Sequence, residues 1–374
     1  MEAYIVDAIR TPIGRGRSDG ALHHVHPVDL LAAPLAELVK RGGFDPSEIE
    51  DVVAGCVTPT AEQGACIGRL AALKAGFPIT TPGVQLNRFC GSGQQAVHFA
   101  AQAIRAGDMD LAIACGVESM SRVAMGSDAA LTQEFRASFP FELAHQGQSA
   151  EMLVEKWKLT RSELDNFAAR SHRLAAAASE QGWTAAELLP IAGLLRDEGI
   201  RPNIDPAKMA SLPTVFRAAG CVTAGNSSQI SDGAAAVLIA SGKKAEELGL
   251  RKRARIVSQT VVGSDPVLML TGPIDATRKA LARAGLTVSQ IDAFEINEAF
   301  ACVALAWMRE IQPDPGRVNV QGGAIAHGHP LGATGAALMT KLINILERTG
   351  GRYGLQTMCI GFGMATATIV ERIG

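Results

Sequence analysis

The sequence predicts an α/β protein built from two similar βαβ halves with a segment inserted between them. Three observations indicate this class: motifs that recur in order at a constant spacing, short apolar runs that alternate with helical patterns, and a middle stretch rich in charge and proline. With 374 residues and 47% hydrophobic content, the chain can bury a large core. That length favours two or three domains over one.

The repeat relates the beginning of the chain to its end. PVDL at 27–30, a helical stretch and SEIEDVVAGC at 47–56 are matched by PID at 273–275, a helical stretch and SQIDAFEIN at 289–297. Ile49 and Ile291, inside the second motif of each set, stand 242 positions apart. Carried forward, this offset aligns the sequence CGSG with GATG, each of which opens an alanine-rich helix. Chance similarity between alanine- and glycine-rich segments is the competing interpretation.

The repeat sets the expected domains. Residues 1–118 form the N-terminal half, which residues of about 230–248 complete, and residues 249–374 form the C-terminal half. Between them, residues 119–229 form an inserted loop domain with charged helical segments within 149–181, followed by several prolines. Insertions on a rigid scaffold commonly build a substrate pocket, and a dimer contact is the alternative.

Composition and charge exclude several classes of function. The net charge is −2 and the longest basic cluster is 251–253, so nothing resembles the basic surface of a nucleic-acid binder. No apolar run approaches the about 18 residues of a membrane span, and the first ten residues lack a signal-peptide pattern, so we expect a cytoplasmic protein. Seven cysteines without CxxC spacing predict reduced thiols rather than disulfides or a zinc site.

Cys90 is the strongest candidate for chemistry on the residues alone. It precedes Gly-Ser-Gly and a helical pattern over 94–104 that ends at Gly107. At a helix N-terminus, backbone N–H groups and the helix dipole favour a thiolate, so we expect the pKa of Cys90 to lie below the free value of about 8.5. The competing interpretation is a buried small residue at a helix start.

Six motifs, in order and over nearly the whole chain, resemble those of thiolases. They are NRFCGSG at 87–93, GVESMS at 116–121, VTAGNSS at 222–228, NEAF at 297–300, GGAIA with GHP within 322–330, and CIG at 359–361. The resemblance implies duplicated thiolase-type βαβ halves that form a five-layer αβαβα core, with an inserted loop domain that binds coenzyme A. It also implies an acyltransferase that cleaves 3-oxoacyl-CoA with coenzyme A, or runs the reverse Claisen condensation, by a ping-pong mechanism through an acyl-cysteine.

The resemblance implies roles at five positions. Cys90 is the acyl-accepting nucleophile, His329 activates it and contributes to an oxyanion hole, and Cys359 is the general acid and base. Asn297 holds a water of one oxyanion hole, and Gly361 supplies a backbone N–H to the other together with Cys90. A helix N-cap is the competing interpretation for Asn297.

Coenzyme A and its acyl esters are the expected substrates, with no tightly bound cofactor and no metal. The resemblance implies contacts to coenzyme A at His145, Gln146, Arg201, Met209, Phe216 and Ser228. Ordinary packing inside the loop domain is the competing interpretation for Met209 and Phe216.

Two residues depart from the pattern of the family. His327, two positions before His329, is a second imidazole that either perturbs the pKa of His329 or points away from it. Phe362 stands where thiolases usually have glycine. We expect it to narrow the acyl tunnel or to reshape a hairpin over 353–371.

The expected partners are an acyl-CoA substrate and further copies of the chain, in a homodimer or homotetramer. A hydratase/dehydrogenase subunit is a further candidate partner. Two alternatives to a thiolase are a decarboxylating ketoacyl synthase-like enzyme, which would not need Cys359, and a non-catalytic acyl or lipid carrier. Acyl length, a steroid substrate and the physiological direction stay open.

Overall fold

The computed structural model describes residues 1–129 and 131–374. Within them the strands are β1 Ala3–Arg10, β2 Gly14–Arg15, β3 Asp51–Gly55, β4 Val84–Leu86, β5 Leu111–Ser119, β6 Ser231–Ser241, β7 Ala254–Gly263, β8 Ala293–Ile296, β9 Tyr353–Ile360 and β10 Met364–Arg372. The helices are α1 Pro27–Gly42, α2 Ile67–Lys74, α3 Ser92–Ala106, α4 Gln133–Ser138, α5 Gln146–Lys156, α6 Arg161–Glu180, α7 Pro206–Ala210, α8 Gly242–Glu247, α9 Gly272–Ala284, α10 Ala301–Ile311, α11 Ala324–His327 and α12 Leu331–Thr349.

The strands of the described residues pair into one mixed sheet in the order β4-β3-β5-β6-β1-β7-β10-β9-β8, with β2 beside β6. β1 and β7 pair only through Tyr4 with Arg255 and Ile5 with Ala254, so the sheet divides into two halves at this point. In the first half β3 pairs parallel with β5, β5 pairs antiparallel with β6, and β6 pairs antiparallel with β1. In the second half β8 and β9 are parallel and β10 and β7 follow antiparallel. The predicted duplication is confirmed by this matching order.

Helices cover both half-sheets and also separate them. α12 contacts β5 and β6 of the first half and β8 and β9 of the second, while α3 lies beside it on β3 and β5. α1 and α2 cover the outer face of the first half, and α9 covers the outer face of the second. Helix, sheet, helix pair, sheet and helix make the five-layer αβαβα core that the sequence analysis predicts. Because α12 is enclosed on all sides, it is buried from Leu331 to Leu346.

The N-termini of the two central helices lie unusually close together. A methyl group on Gly93 of α3 would lie 2.7 Å from the carbonyl oxygen of Gly332 in α12, and one on Gly335 would overlap the backbone nitrogen of Gln94. Glycine at these positions therefore lets the two helix backbones touch. Cys90 precedes one helix and His329 precedes the other, so the contact brings the two ends that carry chemistry together.

The segment between β5 and β6 contains α4, α5, α6 and α7 and rests on the C-terminal half. α5 and α6 pack against α10, and α6 also contacts α11. α5 begins with His145 as its N-cap, and His145 and Gln148 form a reciprocal capping box. This packing directs the N-terminus of α5 toward the junction of the two halves.

We expect Gly335→Ala to lower the free energy of unfolding by roughly 1–3 kcal/mol, because the added methyl group overlaps the backbone of α3. Urea unfolding followed by circular dichroism measures the change. Gly263→Ala is the matched control: its methyl group has no neighbour within 4 Å, and it should stay within about 0.5 kcal/mol of the parent. Equal stability of both variants would contradict the close helix contact.

Candidate active site

Cys90 lies in a braced turn between β4 and α3. The hydroxyl of Ser92 accepts a hydrogen bond from the backbone N–H of Arg88 (2.8 Å) and donates one to the carbonyl of Phe89 (2.7 Å). Phe89 has a φ of 44°, in the left-handed region that side chains other than glycine rarely adopt. The turn therefore presents Cys90 directly before α3, and the thiol residue is only 5% exposed.

Burial controls the protonation of Cys90. Loss of solvent raises the pKa of Cys90 to about 11, and this effect outweighs the opposing hydrogen bonds from backbone N–H groups and from the side chain of Gln146. The expected lowering of this pKa is wrong, because desolvation in a closed pocket is stronger than the stabilisation at the helix N-terminus. The thiol is neutral at pH 7 and needs a base when it reacts.

His329 is held as a neutral imidazole in one tautomer. Burial lowers the pKa of His329 to about 4. The hydroxyl of Thr334 donates to the carbonyl of Pro330 (2.8 Å), so it accepts from Nδ1–H of His329 (2.7 Å). Nε2 therefore carries the lone pair, and the side-chain amide nitrogen of Asn297 lies 3.2 Å from it. This tautomer is the one that a base acting through Nε2 needs.

Asn297 connects the histidine to the strand that carries Cys359. Its backbone N–H donates to the carbonyl of Thr357 in β9 at 3.0 Å. Its side-chain oxygen is buried and has no hydrogen-bond partner among residues 1–129 and 131–374. α10 begins at Ala301 with Phe300 as its N-cap, so the alternative of Asn297 as a helix N-cap is wrong.

The end of β9, which carries Cys359, contacts the turn that carries Cys90. Burial raises the pKa of Cys359 well above its ordinary value, and the nearby Cys90 and Cys302 sulfurs raise it further. The backbone N–H of Gly361 lies close enough to the sulfur of Cys90 to oppose the rise in its pKa. A methyl group on Gly91 would overlap the side chain of Ile360, so the two loops are in direct contact.

The structure thus gathers all five residues that the sequence analysis assigns to catalysis around one junction. Within the part of the chain that is described, the thiol of Cys90 makes no direct hydrogen bond to His329, whose Nε2 faces Asn297 instead. Such bonds are often long in the absence of substrate and tighten when it binds.

His327 points away from the site. Its Nδ1 lies 2.8 Å from a carboxylate oxygen of Asp197, and its Nε2 lies 2.8 Å from the carbonyl of Gln321. Burial alone accounts for the lowered pKa of His329, so His327 does not perturb it. Arg10, which is buried, holds the other side of Asp197 at 2.7 Å.

Two supporting residues were missed from the sequence. Thr334 sets the tautomer of His329, and its only signal was a hydroxyl five positions after the histidine. Glu118, in the GVES motif, accepts hydrogen bonds from four nitrogen donors that belong to two distant segments. They are the backbone N–H groups of Val57, Thr58 and Gly332 and the side chain of Gln63, at 2.8–3.1 Å.

The six residues expected to contact coenzyme A fall into two groups. The His145 and Phe216 rings lie 5.3 Å apart, and Phe216 lies edge-on to Phe300 at 6.0 Å. The side chain of Gln146 lies near enough to Cys90 to oppose the rise in the pKa of its thiol, and the backbone N–H of Ser228 donates to the carbonyl of Ala299, next to Phe300. These four residues thus form one group around Phe300 and the start of α5.

The other two residues are Met209 and Arg201. Met209 is only 7% exposed and packs against Gly225, which leaves little of its surface for a ligand. Arg201 is exposed, and its backbone N–H donates to His172.

Within the described ranges, no group of three or more His, Cys, Asp or Glu side chains is arranged to hold a metal ion. Among the helices of the same residues, none combines the length and apolar character needed to span a bilayer.

Because only a thiolate reacts with alkylating agents, we expect the alkylation of Cys90 by iodoacetamide to accelerate about tenfold per pH unit between about pH 7 and pH 9, below its pKa of about 11. Mass spectrometry of the Cys90 peptide measures the rate, with glutathione as the reference thiol. A rate for Cys90 that levels off before that of glutathione would contradict the neutral thiol.

Comparisons with known proteins identify the family of this chain. The model for the thiolase N-terminal domain matches residues 3–243, and the model for the thiolase C-terminal domain matches residues 250–372. The chain is 46% identical to a steroid 3-ketoacyl-CoA thiolase of Mycobacterium tuberculosis, over all of this chain and 94% of that protein. It is 44% identical to 3-ketoacyl-CoA thiolases of Idiomarina loihiensis, over 99% of both chains, and of Vibrio cholerae, over 98% of both. The predicted resemblance is confirmed, and the chain belongs to the thiolase family.

Proposed function

We propose that this protein cleaves a 3-oxoacyl-CoA with coenzyme A to give acetyl-CoA and a shortened acyl-CoA, through an acyl group held on Cys90. The observation that carries the proposal is the contact between the turn of Cys90 and the end of β9, which carries Cys359. The same strand binds the backbone of Asn297, whose side chain lies beside His329. The relatives are named for steroid 3-ketoacyl-CoA and for 3-ketoacyl-CoA in general, so the acyl group itself stays open.

In the first half-reaction, the sulfur of Cys90 bonds to the 3-oxo carbon of the substrate while its proton passes to Nε2 of His329. The pKa of the thiol lies well above that of the imidazole, so the proton moves as the carbon–sulfur bond forms rather than before it. The bond between carbons 2 and 3 then breaks, and its electron pair stays on carbon 2. Cys359 protonates that carbon, and acetyl-CoA leaves.

In the second half-reaction, coenzyme A removes the acyl group from Cys90. Its thiol gives its proton to the thiolate of Cys359 and attacks the thioester carbonyl. The sulfur of Cys90 departs and takes back the proton from His329. All three groups return to the neutral state that burial favours.

Each half-reaction places negative charge on a substrate oxygen, which two pairs of donors would stabilise. The backbone N–H groups of Cys90 and Gly361 form one pair. Protonated His329 and a water held by the side-chain oxygen of Asn297 form the other, which gives that buried acceptor a partner. Each such donor is worth about 3 kcal/mol in the transition state.

Coenzyme A would reach Cys90 along the inserted segment, which we propose is a loop domain of residues 119–229. The support is that His145 lies beside Phe216 and is followed by Gln146, whose side chain lies near the thiol of Cys90. Ser228 donates its backbone N–H to Ala299, next to Phe300. The support for Met209 and Arg201 is weaker, because Met209 is nearly buried and the backbone of Arg201 contacts His172 rather than this group. We place the enzyme in the cytoplasm, where its seven free cysteines stay reduced.

We expect Cys359→Ala to lower the thiolysis kcat on acetoacetyl-CoA by about 10³-fold, because it removes the proton donor. The variant should still form acetyl-Cys90 with acetyl-CoA, seen as one acetyl group by intact mass. Cys115→Ala, another buried thiol at a strand, is the control and should keep full activity.

Two outcomes would reject the proposal. Full turnover by the Cys359→Ala variant would favour a decarboxylating ketoacyl synthase-like enzyme. Absence of an acetyl group on Cys90 in the parent protein would favour a non-catalytic acyl carrier.

We also propose a homodimer formed at the edge of the first half-sheet. Among the residues that the structure describes, β4 pairs only with β3, so its other edge presents unpaired backbone groups. Apolar side chains are exposed around it on α2, on β4 and between them: Leu70, Leu73, Ile79 and Val84, with Ile79 85% exposed. A second copy related by a two-fold axis would cover both features at once.

Charged substitutions at the edge formed by β4 test the proposed dimer. We expect Ile79→Asp combined with Val84→Lys to halve the mass measured by light scattering at micromolar concentration, because it places desolvated charge in the interface. Leu195→Lys, at a residue 67% exposed elsewhere, is the control and should keep the parental mass. A monomeric parent protein would contradict the proposal.

A further inference from the structure

Two phenylalanines flank the paired cysteine loops, and both have an unfavourable backbone. Phe89 precedes Cys90 with a φ of 44°, and Phe362 follows Gly361 with a φ of 58°. Their rings meet edge to face, with centroids 5.4 Å apart. Building on the proposed function, we propose that Phe362, through this contact with Phe89, is a positioning residue that holds Cys359 at the distance from Cys90 needed for the carbon–carbon step.

Backbone conformation argues that the ring of Phe362 is retained for its contact. A left-handed φ favours glycine, and the next residue of the same turn, Gly363, has a φ of 75°. Burial does not explain a phenylalanine here, since Phe362 is 39% exposed. Strained residues persist where the surrounding structure over-determines them, and they cluster at functional sites.

The contact joins the two loops at their reactive ends. The ring of Phe89 faces Gly361. A methyl group added to Gly361 would lie 3.6 Å from this ring, at ordinary van der Waals distance. The backbone N–H of Gly361 in turn lies near the sulfur of Cys90. The far end of the second loop is fixed, because the carbonyl of Gly363 accepts from the N–H of Ser264. Phe362 therefore lies between Gly363, which is hydrogen-bonded to Ser264, and the ring of Phe89.

The proposal separates two reactions of the same enzyme. Exchange of free coenzyme A with acetyl-CoA runs the second half-reaction in both directions, so Cys359 and His329 exchange protons only with sulfur atoms. Thiolysis also needs Cys359 in reach of carbon 2 of the departing acetyl group. A displaced Cys359 loop should slow thiolysis far more than exchange, because the step at carbon 2 depends on close placement of the proton donor.

We expect Phe362→Gly to lower the thiolysis kcat on acetoacetyl-CoA by about 10- to 100-fold, with KM unchanged and the exchange rate within about twofold of the parent. Its thermal midpoint should not fall, because glycine relieves the backbone strain as the ring contact is lost. Lys158→Gly is the matched control: it relieves a φ of 49° at an exposed residue in another part of the chain and should leave both rates unchanged.

Three results would overturn the proposal. Equal losses of exchange and thiolysis would indicate a general structural role, as would a fall in thermal midpoint that parallels the loss of activity. A loss confined to long-chain 3-oxoacyl-CoA, with acetoacetyl-CoA unaffected, would make Phe362 a wall of the acyl pocket instead.

A chemical measurement keeps this proposal distinct from the proposed function. A bis-alkylating reagent that bridges only neighbouring thiols should link Cys90 to Cys359 in the parent protein and more slowly in Phe362→Gly, as read by peptide mass spectrometry. This readout does not depend on turnover. An inactive parent with normal bridging would reject thiolysis alone, whereas equal bridging in both proteins would reject the role of Phe362.

Discussion

The close crossing of α3 and α12 at their N-termini is the contact on which the rest of the site depends. Helix backbones normally stay 8–10 Å apart because side chains separate them, and glycines at this crossing remove those side chains. One helix then starts beside Cys90 and the other beside His329, although the two residues lie far apart in the chain. Glu118 reinforces the crossing by accepting the N–H of Gly332 at the start of α12 and two N–H groups that follow β3.

Enclosure between the two half-sheets has a direct chemical consequence. Loss of solvent penalises the charged form of every titratable group, so Cys90 and Cys359 are neutral thiols and His329 is a neutral imidazole. The site carries no preformed thiolate–imidazolium pair. Charge appears only as bonds to the substrate form, and fixed donors in the same dry pocket then act strongly on it.

A buried charge cluster behind the site ties the three parts of the chain together. Arg10 of the first half bonds to Glu187 and Asp197 of the inserted segment, and Asp197 also meets His327 of the second half. Burial alone would raise the pKa of Asp197, but Arg10 and His327 hold it far below its usual range. Removal of one partner from such a cluster leaves an uncompensated buried charge. The turn that carries His329 therefore rests on a rigid support.

Features that depend on residues close together in the chain were predictable from the sequence. The spacing of apolar residues and the glycine after it placed α3, which runs from Ser92 to Ala106 with Gly107 as its C-cap. The repeat at 242 positions anticipated the matching half-sheets, and the hairpin expected over 353–371 is the pair β9 and β10. Motifs of the family identified the two cysteines, His329 and Asn297 by their order along the chain.

Contacts between distant segments were decided only by the tertiary structure. The helix start at Cys90 predicted a lowered pKa, but the enclosure of that start between two sheets raises it. The tautomer of His329, the direction of His327 and the meeting of Phe89 with Phe362 likewise depend on neighbours that no local pattern specifies. Periodicity and capping act over a few residues, whereas desolvation and side-chain geometry depend on everything that surrounds a group in space.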